Sequence, residues 1–184
     1  YSGWFTCAGE RGPGIALLLH LATWAAASDS QYSYLFVANS GHELGFWGAR
    51  QLLESGLLPA PDDTVAWLHL GASIATPVWR TTPEGLRPDA EITRGRLQMT
   101  HERFGPLLAD AFGQIPALKP DRGALVGELL DVEEHGYRGF GLVGGGNIHF
   151  HTVADTPVTV SPTSLQAVAA ALVRSLEQLA GIGS

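Results

Sequence analysis

Cysteine is almost absent: Cys7 is the sole one in 184 residues, so neither a disulfide framework nor a CxxC zinc knuckle can be built, and the redox compartment stays unread. Basic residues are also few. The 11 Lys and Arg face 18 Asp and Glu, for a net charge of -7, and stand singly rather than in a stripe. That distribution argues against a phosphate-backbone partner, so nucleic acid is not expected. No apolar run spans a bilayer. The longest, residues 14–27 (GIALLLHLATWAAA), is interrupted by His20 and falls short of the ~20 residues required, so no membrane partner is expected and the run reads as a buried helix. Tyr1 brings no initiator methionine, basic n-region or signal-type h-region, as in a trimmed or processed chain. Internal repeats and low-complexity tracts are missing too.

What is present is the composition of one globular domain, residues 1–184, 45% hydrophobic and 16% charged, long enough to bury a core. Strand-like and helix-like patterns alternate, which predicts a three-layer α/β/α sandwich around a mainly parallel mixed sheet. Residues 34–38 (YLFVA) form a continuous apolar run, as a strand buried on both faces should. Residues 43–55 have helical character, with Phe46, Ala49, Leu52 and Leu53 on one stripe and Gly56 as a stop. A second strand is predicted over residues 65–70 (VAWLHL), and a surface excursion over residues 80–89, which contain Pro83 and Pro88. Residues 100–112 read as helix and residues 136–143 (GYRGFGLV) as a glycine-rich strand. The last element is the clearest: Leu165, Val168, Ala169, Leu172, Leu176 and Leu179 recur at helical spacing behind the capping hydroxyls of Ser161, Thr163 and Ser164.

Four stretches put ligand-capable side chains at the carboxyl ends of predicted strands or their flanking turns, where α/β sheets form ligand crevices. They are Glu10-Arg11 in CAGERGPG, His42-Glu43 in SGHELG, His69 in WLHLGA, and His149 with His151 in NIHFHTVADTP. Carboxylate plus imidazole is the donor mix of catalytic zinc sites. Each residue also has a plainer reading. Glu43 suits the first turn of a helix dipole, His69 suits a satisfied core histidine, and Glu10-Arg11 suits a local ion pair. His149 and His151 share one face if the segment is a strand, and a buried pair demands partners. The two-histidine helical zincin motif is not present, since Phe46 stands where its second histidine would.

Three stretches resemble the co-catalytic zinc exopeptidase family of bacterial leucyl aminopeptidases, glutaminyl cyclases and the inactive transferrin receptor ectodomain. SGHELGFWGA resembles the motif G-E-E-x-G-L-x-G-S, with Glu43 at the metal-binding glutamate and His42 at the general base. FHTVADTPV resembles Y-H-T-x-x-D-T, with His151 as ligand. ERGPGIALLLHLA resembles D-N-A-S-G-V-A-x-L-L-E-L-A, with Glu10 at the metal-bridging aspartate. The resemblance runs over nearly the whole chain and also shows departures. His69 stands at an aspartate ligand, Glu128 loosely matches the aspartate of an S-D-H stretch whose histidine is replaced by Leu129, and the upstream H-x-D histidine has no counterpart. The first strands of the family fold are missing as well.

What the resemblance implies is a divergent metallo-hydrolase of aminopeptidase type, with zinc as cofactor and a peptide or small amide as substrate. Loss of the H-x-D histidine argues against two metals. Glu10, Glu43 and His151 match the ligand set of the single-zinc glutaminyl cyclases, with His69 as a further ligand or a partner of one. His42 and Arg11 are the expected catalytic residues, the first as base and the second to hold a substrate oxygen. Glu128, His149 and Asp155 are expected behind the ligands or against substrate, and Trp4, Trp47 and Trp67 as walls of an apolar pocket. Two alternatives stand beside hydrolysis: acyl transfer of glutaminyl-cyclase type, and a pseudo-enzyme that serves as a binding module or homodimer.

Overall fold

The alternation along the chain folds into helices on both faces of a sheet in a computed structural model that describes residues 6–123 and 125–181. In chain order the elements are α1 (Ala8–Ala27), α2 (Trp47–Glu54), β1 (Trp67–Leu70), β2 (Pro77–Thr82), β3 (Gly85–Ile92), β4 (Gly95–Met99), α3 (Gly105–Ala111), β5 (Pro120–Asp121), α4 (Leu129–Glu134), β6 (Gly139–Gly144) and α5 (Pro162–Ala180). The main sheet has the order β1-β6-β4-β5. Strands β1 and β6 are parallel, as are β4 and β5, while β4 runs antiparallel to β6. This is the expected mixed α/β architecture.

Pleating decides what each strand residue touches. Leu68, Leu70, Leu97, Phe140 and Leu142 face the larger core, where they meet Leu17 and Leu21 of α1, Phe104 and Leu108 near α3, and Val168 and Leu172 of α5. Trp67 lies on the opposite side, in a smaller cluster with Leu129, Val132 and Tyr137, against Leu53 of α2. His69, two residues on, shares that side. It is in register with Gly141, where a Cβ would lie 2.9 Å from the His69 Cβ; the missing side chain makes room for the imidazole.

Local signals hold where the partner is near in sequence. Ser161 caps α5, its side chain accepting from the Ser164 N–H, and Gly56 takes φ +70 just past α2. Residues 43–55 divide, however, into a 3-10 turn (His42–Leu44) and α2, and residues 100–112 into a 3-10 turn (Glu102–Phe104) and α3. The excursion at residues 80–89 is an antiparallel hairpin of β2 and β3. Helix α1 is buried on one side only: Leu17 and Leu21 are inside, while Ile15 and Leu19 are 58% and 62% exposed. Among the described residues no helix is long and apolar enough to cross a membrane.

Residues 34–38 do not form a strand. Trp67 and Gly71 donate to Arg138 and Leu142 carbonyls at 2.9 and 2.8 Å, so parallel geometry turns the backbone groups of Leu68 and Leu70 outward. Neither these groups nor the backbone of residues 34–38 has a hydrogen-bond partner among the described residues. A cavity of about 1290 Å³ lies between them, lined by Ile15, Leu18, Tyr34, Phe36, Leu68 and Leu70. The apolar run has strand composition without a neighbouring strand, and Leu35 is 63% exposed.

Candidate metal centre

Three chain segments meet at the carboxyl end of the parallel pair β1 and β6. The first is the start of α1. Its N-cap, Cys7, is left-handed and provides no side-chain cap; Asp155 does so from 146 residues away, accepting from the Gly9 N–H at 2.7 Å and from the Glu10 N–H at 3.0 Å. Thr159 Oγ1 donates to Asp155 Oδ1 at 2.6 Å, and Asp155 is fully buried. A Cβ on Gly9 would lie 2.4 Å from Thr159 Oγ1 and 2.7 Å from Asp155 Oδ1, so only glycine fits. One carboxylate thus ties the helix that carries Glu10 to the loop that carries His151.

The second segment is the 3-10 turn, bracketed by Gly41 (φ +75) and Gly45 (φ +71). Leu44 donates to the Gly41 carbonyl at 3.0 Å and Gly48 to the Ser40 carbonyl at 3.1 Å, a tight wrap that directs His42 and Glu43 to different neighbours. The third is the turn at His151, which itself has φ +58. The other non-glycine residues at positive φ among the described ones are Cys7, Phe46, Ser73 and Ala75. The Ser73 hydroxyl accepts a hydrogen bond from the Asn147 side-chain amide at 3.3 Å, and the Ser73 N–H donates to the Glu10 backbone carbonyl at 2.9 Å. Strained backbone of this kind gathers at functional sites.

Glu10, Glu43 and His151 offer ligand atoms that all lie within 4.8 Å of one another. His151 Nε2 is 3.5 Å from Glu10 Oε1 and 3.3 Å from Glu43 Oε1, with Phe150 stacked on its ring at a centroid distance of 4.0 Å. Arg11 joins them: its Nη2 is 3.0 Å from Glu10 Oε1 and 3.6 Å from Glu43 Oε1. Glu10 is fully buried, yet neither of its side-chain oxygens accepts a hydrogen bond among the described residues. A buried carboxylate in that condition is costly unless a cation compensates it. Two carboxylates and an imidazole are hard and borderline donors suited to a divalent ion, and the residues present fit one.

A second group adjoins the first through the His42-Glu43 peptide. His42 Nδ1 is 2.7 Å from Glu128 Oε1, and His69 Nε2 is 3.6 Å from Glu128 Oε2. Burial works to raise the Glu128 carboxyl, but the hydrogen bond with His42 and the adjacent imidazole charges outweigh it and hold the group below the ordinary glutamate value. Burial pushes the His69 imidazole down, against the opposing pull of Glu128. His69 therefore addresses Glu128 and lies outside the three-residue group.

His149 does not share a strand face with His151, because residues 147–154 turn instead of extending. Its ring packs edge-on against Trp79 at 4.6 Å, and its buried Nε2 has no hydrogen-bond partner among the described residues. Trp4 lies outside the described residues. Trp47 is 60% exposed and Trp67 packs on Tyr137 at 5.4 Å, so these two do not form one pocket wall. Thr159 and Phe150 escaped the sequence reading. The four-residue spacing of Asp155 and Thr159 was a visible signal for the first; the ring stacking of the second had none.

The sequence matches no protein-family model, and no curated protein matches it. Solved structures do. An aminopeptidase from Aneurinibacillus sp. strain AM-1 superposes with a TM-score of 0.73 at 16% identity, over 94% of this chain and 40% of that one. The fold is that of the bacterial aminopeptidases. A zinc aminopeptidase from Bacillus subtilis, BSAP, superposes with a TM-score of 0.69 at 15% identity, over 93% of this chain and 42% of that one. The chain therefore spans about two-fifths of the length of these aminopeptidases.

Proposed function

We propose that this chain is a divergent zinc metallo-hydrolase acting on an amide or peptide bond, with one zinc held by Glu10, Glu43 and His151. The observation that carries the reading is the convergence of Glu43 and His151 on the buried Glu10 carboxylate, whose oxygens accept no hydrogen bond among the described residues. The fold shared with a zinc aminopeptidase supports it. Bound zinc lowers the pKa of its water towards ~7 and polarises a carbonyl.

The remaining steps fall to the protein. His42 stands beside Glu43, and its Nδ1–H donates to Glu128, which fixes the tautomer and leaves Nε2 as the nitrogen that can accept a proton. Arg11, one residue from Glu10, is placed to hold a substrate oxygen with its forked donors. A peptide or small amide is the proposed substrate.

Metal analysis of the 184-residue chain tests this. About one tightly held zinc per chain is expected, reduced at least ~10-fold in affinity by Glu43→Ala or His151→Ala. Turnover is then sought on aminoacyl amides and on N-terminal glutaminyl peptides, the second class reporting acyl transfer. No zinc uptake at micromolar concentration overturns the reading.

One observation favours a second reading. Arg11 already neutralises part of the charge of Glu10 and Glu43, and a guanidinium in that place suits a pseudo-enzyme that serves as a binding module or homodimer. Absence of both zinc and turnover, with a dimer in sedimentation, supports it.

A further inference from the structure

The same two oxygen atoms serve two cations. Glu10 Oε1 and Glu43 Oε1 face His151 Nε2 at 3.5 and 3.3 Å, and both also face a single nitrogen, Arg11 Nη2, at 3.0 and 3.6 Å. A zinc bound to these carboxylates would draw each oxygen to about 2.0–2.2 Å. The oxygens cannot give their charge fully to both a metal and a guanidinium.

We propose that Arg11 is a tethered counter-cation of the metal centre, seated between Glu10 and Glu43 in the metal-free protein and displaced when a divalent ion enters. This inference rests on the proposed zinc site. Electrostatics supports it: a divalent ion offers the two carboxylates twice the charge of the single guanidinium that faces the same two oxygens. With Arg11 retained as well, the group would carry a net positive charge around a fully buried Glu10. Position supports it too. Arg11 follows Glu10 in the first turn of α1, so it is held at high effective concentration, and its side chain is 26% exposed, which leaves it a path outward. The Nη2 atom is buried yet makes no hydrogen bond of good geometry among the described residues, as expected of a charge-only contact that a stronger cation can replace.

Two consequences distinguish this from a static ion pair. Apparent metal affinity is reduced by the fraction of molecules in which Arg11 occupies the carboxylates, and the displaced guanidinium becomes available to a substrate oxygen only in the metal-loaded state. Arg11 then couples metal loading to substrate binding.

The test is zinc affinity of the 184-residue chain, measured by competition with a chromogenic chelator, for wild type, Arg11→Gln and Arg11→Lys. Arg11→Gln is expected to bind zinc at least ~10-fold more tightly than wild type, with Arg11→Lys between the two because it keeps a charge without the fork. Metal-free Arg11→Gln is also expected to melt at lower temperature than metal-free wild type, and the zinc-loaded pair to melt together. Equal or weaker zinc binding by Arg11→Gln, while wild type still binds, overturns this inference and leaves the zinc site standing. No zinc binding by any of the three overturns both. If Arg11→Gln does not fold, wild-type affinity equal to that of Arg11→Lys overturns the inference.

Discussion

His42 Nδ1 and Glu128 Oε1 are 2.7 Å apart across 86 residues of sequence. The pair joins the 3-10 turn that carries the candidate ligand Glu43 to the residue that leads into α4. The motif that SGHELGFWGA resembles carries a glutamate as general base, and in the proposed function the carboxylate-held imidazole of His42 takes that role.

If Glu128 orients His42, Glu128→Gln should lower kcat for an aminoacyl amide by about 10–100-fold while KM stays within about 2-fold. Zinc content should remain unchanged. Steady-state kinetics with metal analysis on the same sample checks both, and a parallel loss of zinc would assign Glu128 to the metal.

Stability should fall on acidification, and His69 sets the upper part of the slope. Its native pKa lies below the ordinary 6.5 because of burial, so between the two values the unfolded chain binds more protons than the native one. Native stability therefore decreases as pH falls through that window. Glu128 is held below the ordinary 4.5, which contributes stability above that value and loses it as pH falls through the native value. Urea midpoints should decline in wild type as pH falls through the ordinary histidine value, and His69→Leu should reduce that part of the decline.

Asp155 should be a large single contributor to stability. Its removal strands the buried Gly9 and Glu10 N–H groups, at about 1–3 kcal/mol each, while the Thr159 hydroxyl keeps the Thr156 carbonyl as acceptor. Asp155→Ala is expected to cost at least about 2 kcal/mol in urea unfolding. Gly9→Ala, which drives a methyl against Thr159 Oγ1, should cost about 1–3 kcal/mol.

The outer edge of β1 should be open to solvent exchange. Amides of Leu68, Leu70 and residues 34–38 lack partners among the described residues, whereas Phe140 and Leu142 are fully buried in β6 between two strands. Hydrogen exchange should be at least about a hundredfold faster in the first group. Equal protection would mean that residues 34–38 pair in solution.

Elements decided by near neighbours were legible beforehand. The amphipathic spacing of α5, its Ser161 cap and the Gly56 stop each depend on contacts within a few residues, and period alone reveals them. Residues 34–38 were misread because a strand's identity lies in its partner. Their composition is that of a buried strand, but no described strand lies alongside. His149 was misread for a related reason: alternation predicts a face only if the backbone extends, and residues 147–154 turn.

By itself the sequence determined the α/β layering, the amphipathic closing helix and the motif positions of Glu10, Glu43 and His151, because hydrophobic period and short motifs are local properties of a chain. Tertiary structure alone decided which charges meet. It set His69 against Glu128, His149 against Trp79, Asp155 beneath the start of α1, and Arg11 between two carboxylates. The physical reason is range: apart from the adjacent Glu10-Arg11 contact, these interactions join residues from about 30 to about 150 positions apart, and their strength depends on burial that exists only once the layers have packed.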